Sequence, residues 1–393
     1  MAGSYIVAGA RTPIGKMSGA LASFTAADLG GVAIKAALER AGVAPEQVEH
    51  VIVGQVLMAG QGQVPSRQAA TKAGIPMSVP AVNVNKVCLS GLNAIYLADQ
   101  MIAAGEADIV VAGGMESMTN APYLAMGARG GFRYGNTELA DAILRDGLWC
   151  AFDDCAMGLG TERYADGTIS REAQDDLAVK SNERAANAIK DGRLAEEIVP
   201  VAIPQRKGDP ILVETDEGVR PGTTMESLAS LKPAFDKNGT ITAGNASQIS
   251  DGASAVVVMS EKALAASGAT PLGQVVGYGM VAGPDSASLL LQPANAIRAA
   301  LAKAGLGLDD VSLFEINEAF AAVGIASMAE LGISDDVVNV NGGAIALGHP
   351  IGMSGNRLTL TLLHELRRRG GGVGAAALCG GGGQGDAIIV RTV

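Results

Sequence analysis

Aromatic side chains are scarce in this chain: phenylalanine, tyrosine and tryptophan together make up 3% of 393 residues, and Trp149 is the single tryptophan. Stacking platforms for nucleic acid are therefore lacking. A formal net charge of −11 repels phosphate backbones and anionic membrane surfaces alike, so neither nucleic acid nor membrane is expected as a partner. Long apolar runs are missing too, since no stretch approaches the roughly 20 residues that a membrane span needs. The first nineteen residues reach an apolar strand almost at once, without the basic start and apolar stretch of a secretory signal, and the expectation is a cytoplasmic protein.

Cysteine and histidine are equally sparse. Cys88, Cys150, Cys155 and Cys379 are too few and too scattered for a disulfide scaffold, and no pair has zinc-site spacing, so no metal is expected and any conspicuous cysteine is read as a thiol. His50, His349 and His364 are the only imidazoles. What the chain has in quantity is small and aliphatic: hydrophobic residues reach 48%, beside 53 glycines, a composition suited to tightly packed alternating strands and helices. Its length exceeds one typical core, which implies two or three domains or one duplicated unit.

Duplication is supported by internal echoes. Residues 33–42 form an amphipathic helical pattern closed by Gly42, and residues 296–305 repeat it, closed by Gly305. Each is followed by a short polar linker and an apolar run, at 48–53 and 311–316. Further on, Asn83-Val84-Asn85 recurs as Asn339-Val340-Asn341, and the glycine turn Gly113-Gly114 after one strand matches Gly380-Gly381 after another. Three echoes in order predict two related α/β halves, each a sheet with helical crossovers, and the long period excludes a solenoid. Residues 120–249 break the pattern and read as an insertion. The domains are thus expected as 1–119 with 250–270, then the insertion 120–249, then 271–393.

Four motifs carry the candidate chemistry. Cys88 follows an alternating strand and opens a segment with helical apolar spacing, so it is predicted at a helix N-terminus, where the dipole favours a thiolate below the free-thiol pKa of about 8.5; a buried small hydrophobe is the competing reading. His349 lies between Gly348 and Pro350 in a glycine-rich run and is available as a base for such a thiol, unless it is a surface imidazole. Cys379 ends an apolar strand before Gly380-Gly381-Gly382-Gly383-Gln384-Gly385, a backbone able to approach a ligand closely. A phosphate loop is the rival, but the Gly-Lys-Ser/Thr ending is absent. Asn317 closes an apolar run and either holds a water toward an oxyanion or caps the following helix.

In combination, the motifs Asn317-Glu318-Ala319-Phe320, residues 339–350 and residues 379–385, together with the opening segment 8–15, resemble the thiolase family along nearly the whole chain. The resemblance implies an α/β thiolase fold, two duplicated halves packed in a layered α-β-α-β-α core with an inserted loop domain that binds CoA. It implies acyltransferase chemistry in which Cys88 is acylated, His349 accepts its proton, and Cys379 moves the α-proton of a second acyl-CoA. His349 with an Asn317-held water, and the backbone N–H groups of Cys88 and Gly381, would form two oxyanion holes. Arg220, Ser227, Phe235, Ala243, Ser247, Met157 and Phe320 would contact CoA. The implied partners are acetyl-CoA, acetoacetyl-CoA and CoA, with no prosthetic group, and the implied assembly is a homotetramer, a dimer of dimers. Acetyl-CoA acetyltransferase activity is the expected reaction, with a broader or longer-chain 3-ketoacyl-CoA thiolase and a non-catalytic acyl-CoA-binding protein as alternatives. Two departures bear on substrate choice: Ala156 stands where acetoacetyl-specific relatives often carry histidine, and Gln248 where many carry glycine. A ketoacyl synthase would show two histidines where this chain shows Asn317 and a second cysteine, and a dehydrogenase would need a dinucleotide fingerprint that residues 9–15 do not form.

Overall fold

A computed structural model describes residues 3–165 and 167–393. Nine strands dominate: β1 (Ser4–Arg11), β2 (His50–Gly54), β3 (Ala81–Val84), β4 (Ile109–Ser117), β5 (Ser250–Ser260), β6 (Gly273–Ala282), β7 (Val311–Ile316), β8 (Val373–Gly380) and β9 (Gln384–Arg391). They run in the order β7-β8-β9-β6-β1-β5-β4-β2-β3. The first half pairs β2 in parallel with both β3 and β4, then turns antiparallel through β5 and β1. The second half repeats these senses. There β7 runs parallel to β8 and bridges in parallel to Val338, and β9 and β6 follow antiparallel. The halves meet where β1 and β6 pair over three residues, from Ser4↔Val275 to Ile6↔Gly273.

Helices set the layers and the insertion: α1 (Ala26–Ala41), α2 (Pro65–Lys72), α3 (Ser90–Ala103), α4 (Met157–Ala165), α5 (Arg171–Lys190) and, after a single turn α6 (Met225–Ala229), α7 (Gln292–Ala304). They are followed by α8 (Ala321–Leu331), the turn α9 (Ala344–Leu347) and α10 (Ser354–Arg368). The repeated helices α1 and α7 both stop at a left-handed glycine, Gly42 at φ 65° and Gly305 at φ 66°, a conformation that costs other residues about 1–2 kcal/mol.

Strand alternation sorts the core into layers. Val51 and Val53 of β2 pack outward with α1, while Ile52 packs inward with Leu92 and Ile95 of α3. On β9, Ile388 and Val390 join that same inner cluster with Leu358 and Leu360 of α10, whereas Ala387 and Ile389 pack outward with Ile297 and Ala300 of α7. The sequence of layers is helix, sheet, the α3–α10 pair, sheet, helix. The central helices approach closely because Gly355 lacks a side chain: a Cβ there would lie 2.5 Å from the Leu92 backbone nitrogen. Each Leu or Ile buried in this middle layer contributes about 1.5–3 kcal/mol.

Between β4 and β5 the chain leaves the sheet. It forms α4 to α6 and three two-stranded ribbons, one of them Trp149–Cys150 with Cys155–Ala156. A fully buried ion cluster ties it back, with Arg11 of β1 bonded to Glu197 at 2.6 Å and to Asp216 at 2.6 and 2.9 Å. Removing one partner would strand a buried charge.

Candidate active site

The nucleophile candidate sits in a tight turn rather than within a helix. Val87 adopts φ 52°, the Ser90 hydroxyl donates to the Val87 carbonyl at 2.6 Å, and Leu89 is the N-cap of α3, so Cys88 lies just before that helix. Lys86 pins the turn to the other half of the molecule through Asp386 of β9 at 2.7 Å. This placement does not produce the low thiol pKa expected from the helix dipole. Burial pushes the Cys88 thiol up to about 12, opposed by its backbone hydrogen bond and reinforced by the Glu116 carboxylate. At neutral pH the resting sulfur is a thiol, and it must lose its proton as it attacks.

His349 is equipped to take that proton. It is 4% exposed, and burial first, then the Arg357 charge, lowers its pKa to about 3, which keeps the ring neutral. The Ser354 hydroxyl, at the start of α10, donates to the Pro350 carbonyl at 3.0 Å and lies 2.5 Å from His349 Nδ1. With its one hydrogen committed, that hydroxyl accepts from Nδ1–H, so Nε2 keeps its lone pair. The Asn317 Nδ2 amide lies 3.3 Å from Nε2. Asn317 is not a helix cap, because α8 begins after Phe320; it is fully buried at the end of β7, and its Oδ1 has no hydrogen-bond partner among the described residues.

Cys379 is the penultimate residue of β8, near the hairpin turn into β9. Burial raises its thiol pKa strongly, and the neighbouring Cys88 raises it further. Gly380 is the strand's last residue, and Gly381, Gly382 and Gly383 make the turn. Gly382 and Gly383 take φ 75° and 69°, and a Cβ on Gly383 would meet the Asp285 carbonyl at 2.2 Å, so glycine is required there. Cys88, His349, Cys379 and Gly381 all line one small cavity of about 50 Å³, with Val87, Leu148, Met157, Leu289 and Phe320.

A larger apolar cavity of about 370 Å³ shares Leu148, Met157, Ser247, Phe320 and His349 with the small one, and extends to Phe235, Ala243, Ala156 and Gln248. Phe235 and Phe320 meet edge to face with centroids 6.1 Å apart. The 245–247 segment docks on the Asn317–Phe320 loop, Ser247 N donating to the Ala319 carbonyl at 3.0 Å and Ala321 N to the Asn245 carbonyl at 3.0 Å. Arg220 and Ser227 line neither cavity. Arg220 is exposed and bonds through its backbone N–H to Asn182 Oδ1 at 3.0 Å, and Ser227 is exposed in the capping box that opens α6. His50 opens β2 and His364 lies on α10, both away from the thiols.

Three supports were not visible as motifs. Ser354 sets the imidazole tautomer, as above. Glu116 of β4, held near pKa 7 by burial against its hydrogen bonds, accepts the N–H groups of Val56, Leu57 and Gly352 at 3.0, 3.1 and 3.0 Å, anchoring the stretch after His349. Gln248 directs its side-chain amide at the carbonyls of Gly218, Ile345 and Ala346 at 3.1, 3.0 and 3.2 Å, while its own carbonyl accepts from His349 N at 3.1 Å. The residue that departs from the family pattern is thus a strut between the insertion and the histidine loop. Gln248→Ala leaves those carbonyls without that donor and should cost about 1–3 kcal/mol of stability, read by denaturant unfolding, with a parallel fall in kcat/KM. Unchanged stability and activity would show that the strut is idle.

Residues 4–262 match the family described as thiolase, N-terminal domain, and residues 269–392 match thiolase, C-terminal domain. A probable acetyl-CoA acetyltransferase of Mycobacterium tuberculosis is 57% identical over 392 residues, covering 100% of both chains. Another from Mycolicibacterium smegmatis is 57% identical over 98% of this chain and 100% of its own length, and the acetyl-CoA acetyltransferase of Cupriavidus necator is 54% identical over 98% of each. With both domains matched in order and full-length likeness above half identity, the chain belongs to the thiolase family of acyltransferases.

Proposed function

We propose that this chain is an acetyl-CoA C-acetyltransferase, which condenses two acetyl-CoA molecules to acetoacetyl-CoA and free CoA and runs in reverse by thiolysis. The observation that carries the reading is the meeting of two thiols and one neutral imidazole in a single cavity at the end of a larger apolar one.

In the first half-reaction Cys88 Sγ attacks the thioester carbonyl of acetyl-CoA while His349 Nε2 accepts the thiol proton. CoA leaves as a thiol, taking that proton, and the acetyl group remains on Cys88. In the second, Cys379 passes its thiol proton to the vacated His349 Nε2 and as thiolate removes an α-proton from another acetyl-CoA. The resulting enolate attacks the acetyl-Cys88 carbonyl, forming the carbon–carbon bond and expelling the Cys88 thiolate, which takes the proton back from His349. A neutral base at His349 suits the first transfer. Once protonated, Nε2–H is a donor to the substrate oxygen, and the unpartnered Asn317 Oδ1 supports a bound water beside it as the second donor. Backbone N–H groups of Cys88 and Gly381 take the acyl-enzyme oxygen in this reading. The wider cavity receives pantetheine between Phe235, Ala243, Ser247, Met157 and Phe320, leaving Arg220 and Ser227 to the nucleotide end outside it. CoA enters only as substrate, with no metal or prosthetic group.

The same reading includes a cytoplasmic homotetramer, a dimer of dimers. The exposed Tyr123, Met126, Phe132 and Tyr134 in the segment Pro122 to Gly135 of the insertion support a tetramer contact there. The longer-chain alternative draws on Ala156, whose methyl group lines the large cavity and leaves room an imidazole would fill. A series of 3-ketoacyl-CoA substrates decides: kcat/KM should be highest for acetoacetyl-CoA and fall by about 10-fold at the first lengthening of the chain. A steady rise toward longer chains would overturn acetyl specificity while leaving the thiolase chemistry intact.

A further inference from the structure

Cys150 and Cys155 take no part in the chemistry above, and neither lines either cavity of the active site. Both are 3% exposed free thiols, and they face each other as directly registered partners, Cys150↔Cys155, across a two-stranded ribbon. Directly opposed residues of an antiparallel pair have Cα atoms about 4.5–5.5 Å apart and side chains on the same face, within the roughly 4.4–6.8 Å that a disulfide spans. Burial first, and then the Cys150 sulfur against the pull of Arg163, disfavour ionising Cys155. The Cys150 sulfur also receives the Asp153 N–H at 3.5 Å and lies 3.6 Å from the Ser286 hydroxyl.

We infer that Cys150 and Cys155 form a reversible oxidation site, an intrachain dithiol that closes to a disulfide in the presence of a low-molecular-weight disulfide. One cysteine, as thiolate, attacks the oxidant and expels one small thiol, leaving a mixed disulfide on the protein. The other cysteine then attacks that sulfur and expels the second small thiol. Two S–H bonds are lost and one S–S bond forms, and the oxidant carries away both electrons and both protons as two thiols.

The setting favours a responsive bond over a structural staple. The cross-link would close only the short loop 150–155, which removes little entropy from the unfolded chain. Access is local: the ribbon holds just the pairs Trp149↔Ala156 and Cys150↔Cys155, and its turn is exposed, Phe152 at 80%, so the pair opens without disturbing the sheet. The location also connects the site to the cavity, because Leu148, Ala156 and Met157 on the flanks of the ribbon line its wall. Closing the disulfide stiffens that wall.

The assignment is independent of the reaction proposed above and is read without turnover. The chain has four cysteines, so a Cys88→Ala/Cys379→Ala variant retains only this pair. Treated with oxidised glutathione, it should lose both thiols together, lose two hydrogens in intact mass, and yield one peptide spanning Cys150 to Cys155 that is two hydrogens lighter and regains them on treatment with dithiothreitol. The wild-type chain, treated, alkylated and digested in the same way, should yield the same peptide, which keeps the result readable if the variant folds poorly. Persistence of both thiols, a stable glutathione adduct on one of them, or cross-links only between chains would overturn the inference.

Discussion

Cys88→Ala is expected to reduce acetoacetyl-CoA thiolysis on the order of 10⁴-fold or more, followed as loss of the enolate absorbance. The size of the effect follows from the lack of a substitute. The only other thiol in the small cavity is Cys379, and burial, then the neighbouring Cys88, push its pKa up as well. The remaining side chains there, apart from Ser247 and His349, are apolar. An intact-mass measurement adds a second reading: wild type incubated with acetyl-CoA should gain one acetyl group and Cys88→Ala none. Turnover that survives the substitution would remove Cys88 from the mechanism, and a wild type that binds acyl-CoA without turning it over would favour a non-catalytic binding protein.

The route to that nucleophile is where sequence and structure part. A cysteine ahead of a helical pattern suggests a dipole-stabilised thiolate, yet Cys88 lies just outside α3 and is half-buried, and the loss of solvation exceeds what a helix end supplies. Activation therefore falls to His349, whose neutral form depends on burial and whose tautomer depends on Ser354. Ser354 could have been suspected, since it stands one helical turn beyond Pro350, but a serine at a helix start reads first as a cap. Glu116 and Gln248 act through backbone groups distant in sequence, and no local pattern announces such contacts.

The layered halves were more legible, because strand alternation and glycine-closed helices are local signals. Residues 33–42 and 296–305 occupy equivalent outer helices, and each ends on a left-handed glycine as its sequence suggests. The four glycines after Cys379 announced close backbone approach but not its direction: Gly383 is pressed against the Asp285 carbonyl, within the protein. Asn317 had two readings, and the geometry excludes the cap because Phe320 holds that position. Arg220 and Ser227 could be tied to CoA only by resemblance, and they stand outside the cavity that holds the other candidates.

Cys379→Ala should separate the two half-reactions that Cys88→Ala abolishes together. Acetylation of Cys88 requires the nucleophile, the imidazole and an oxyanion site, none of which involves the second sulfur, so the mass gain of one acetyl group should appear at close to the wild-type rate. Condensation should fall by about 10²–10⁴-fold, the usual contribution of a positioned general base. The raised pKa of the Cys379 thiol makes its thiolate a strong base once formed, which fits removal of a weakly acidic α-proton. The cost is that little thiolate exists at rest, so Cys379 must itself be deprotonated within the site, where, with Cys88 acetylated, His349 is the cavity side chain able to accept the proton. A merely packing role predicts a different pattern, because a smaller side chain would loosen the shared cavity and slow both steps alike. Equal losses in acetylation and condensation would therefore remove Cys379 from proton transfer, whereas a loss confined to condensation divides the labour of the two sulfurs as proposed.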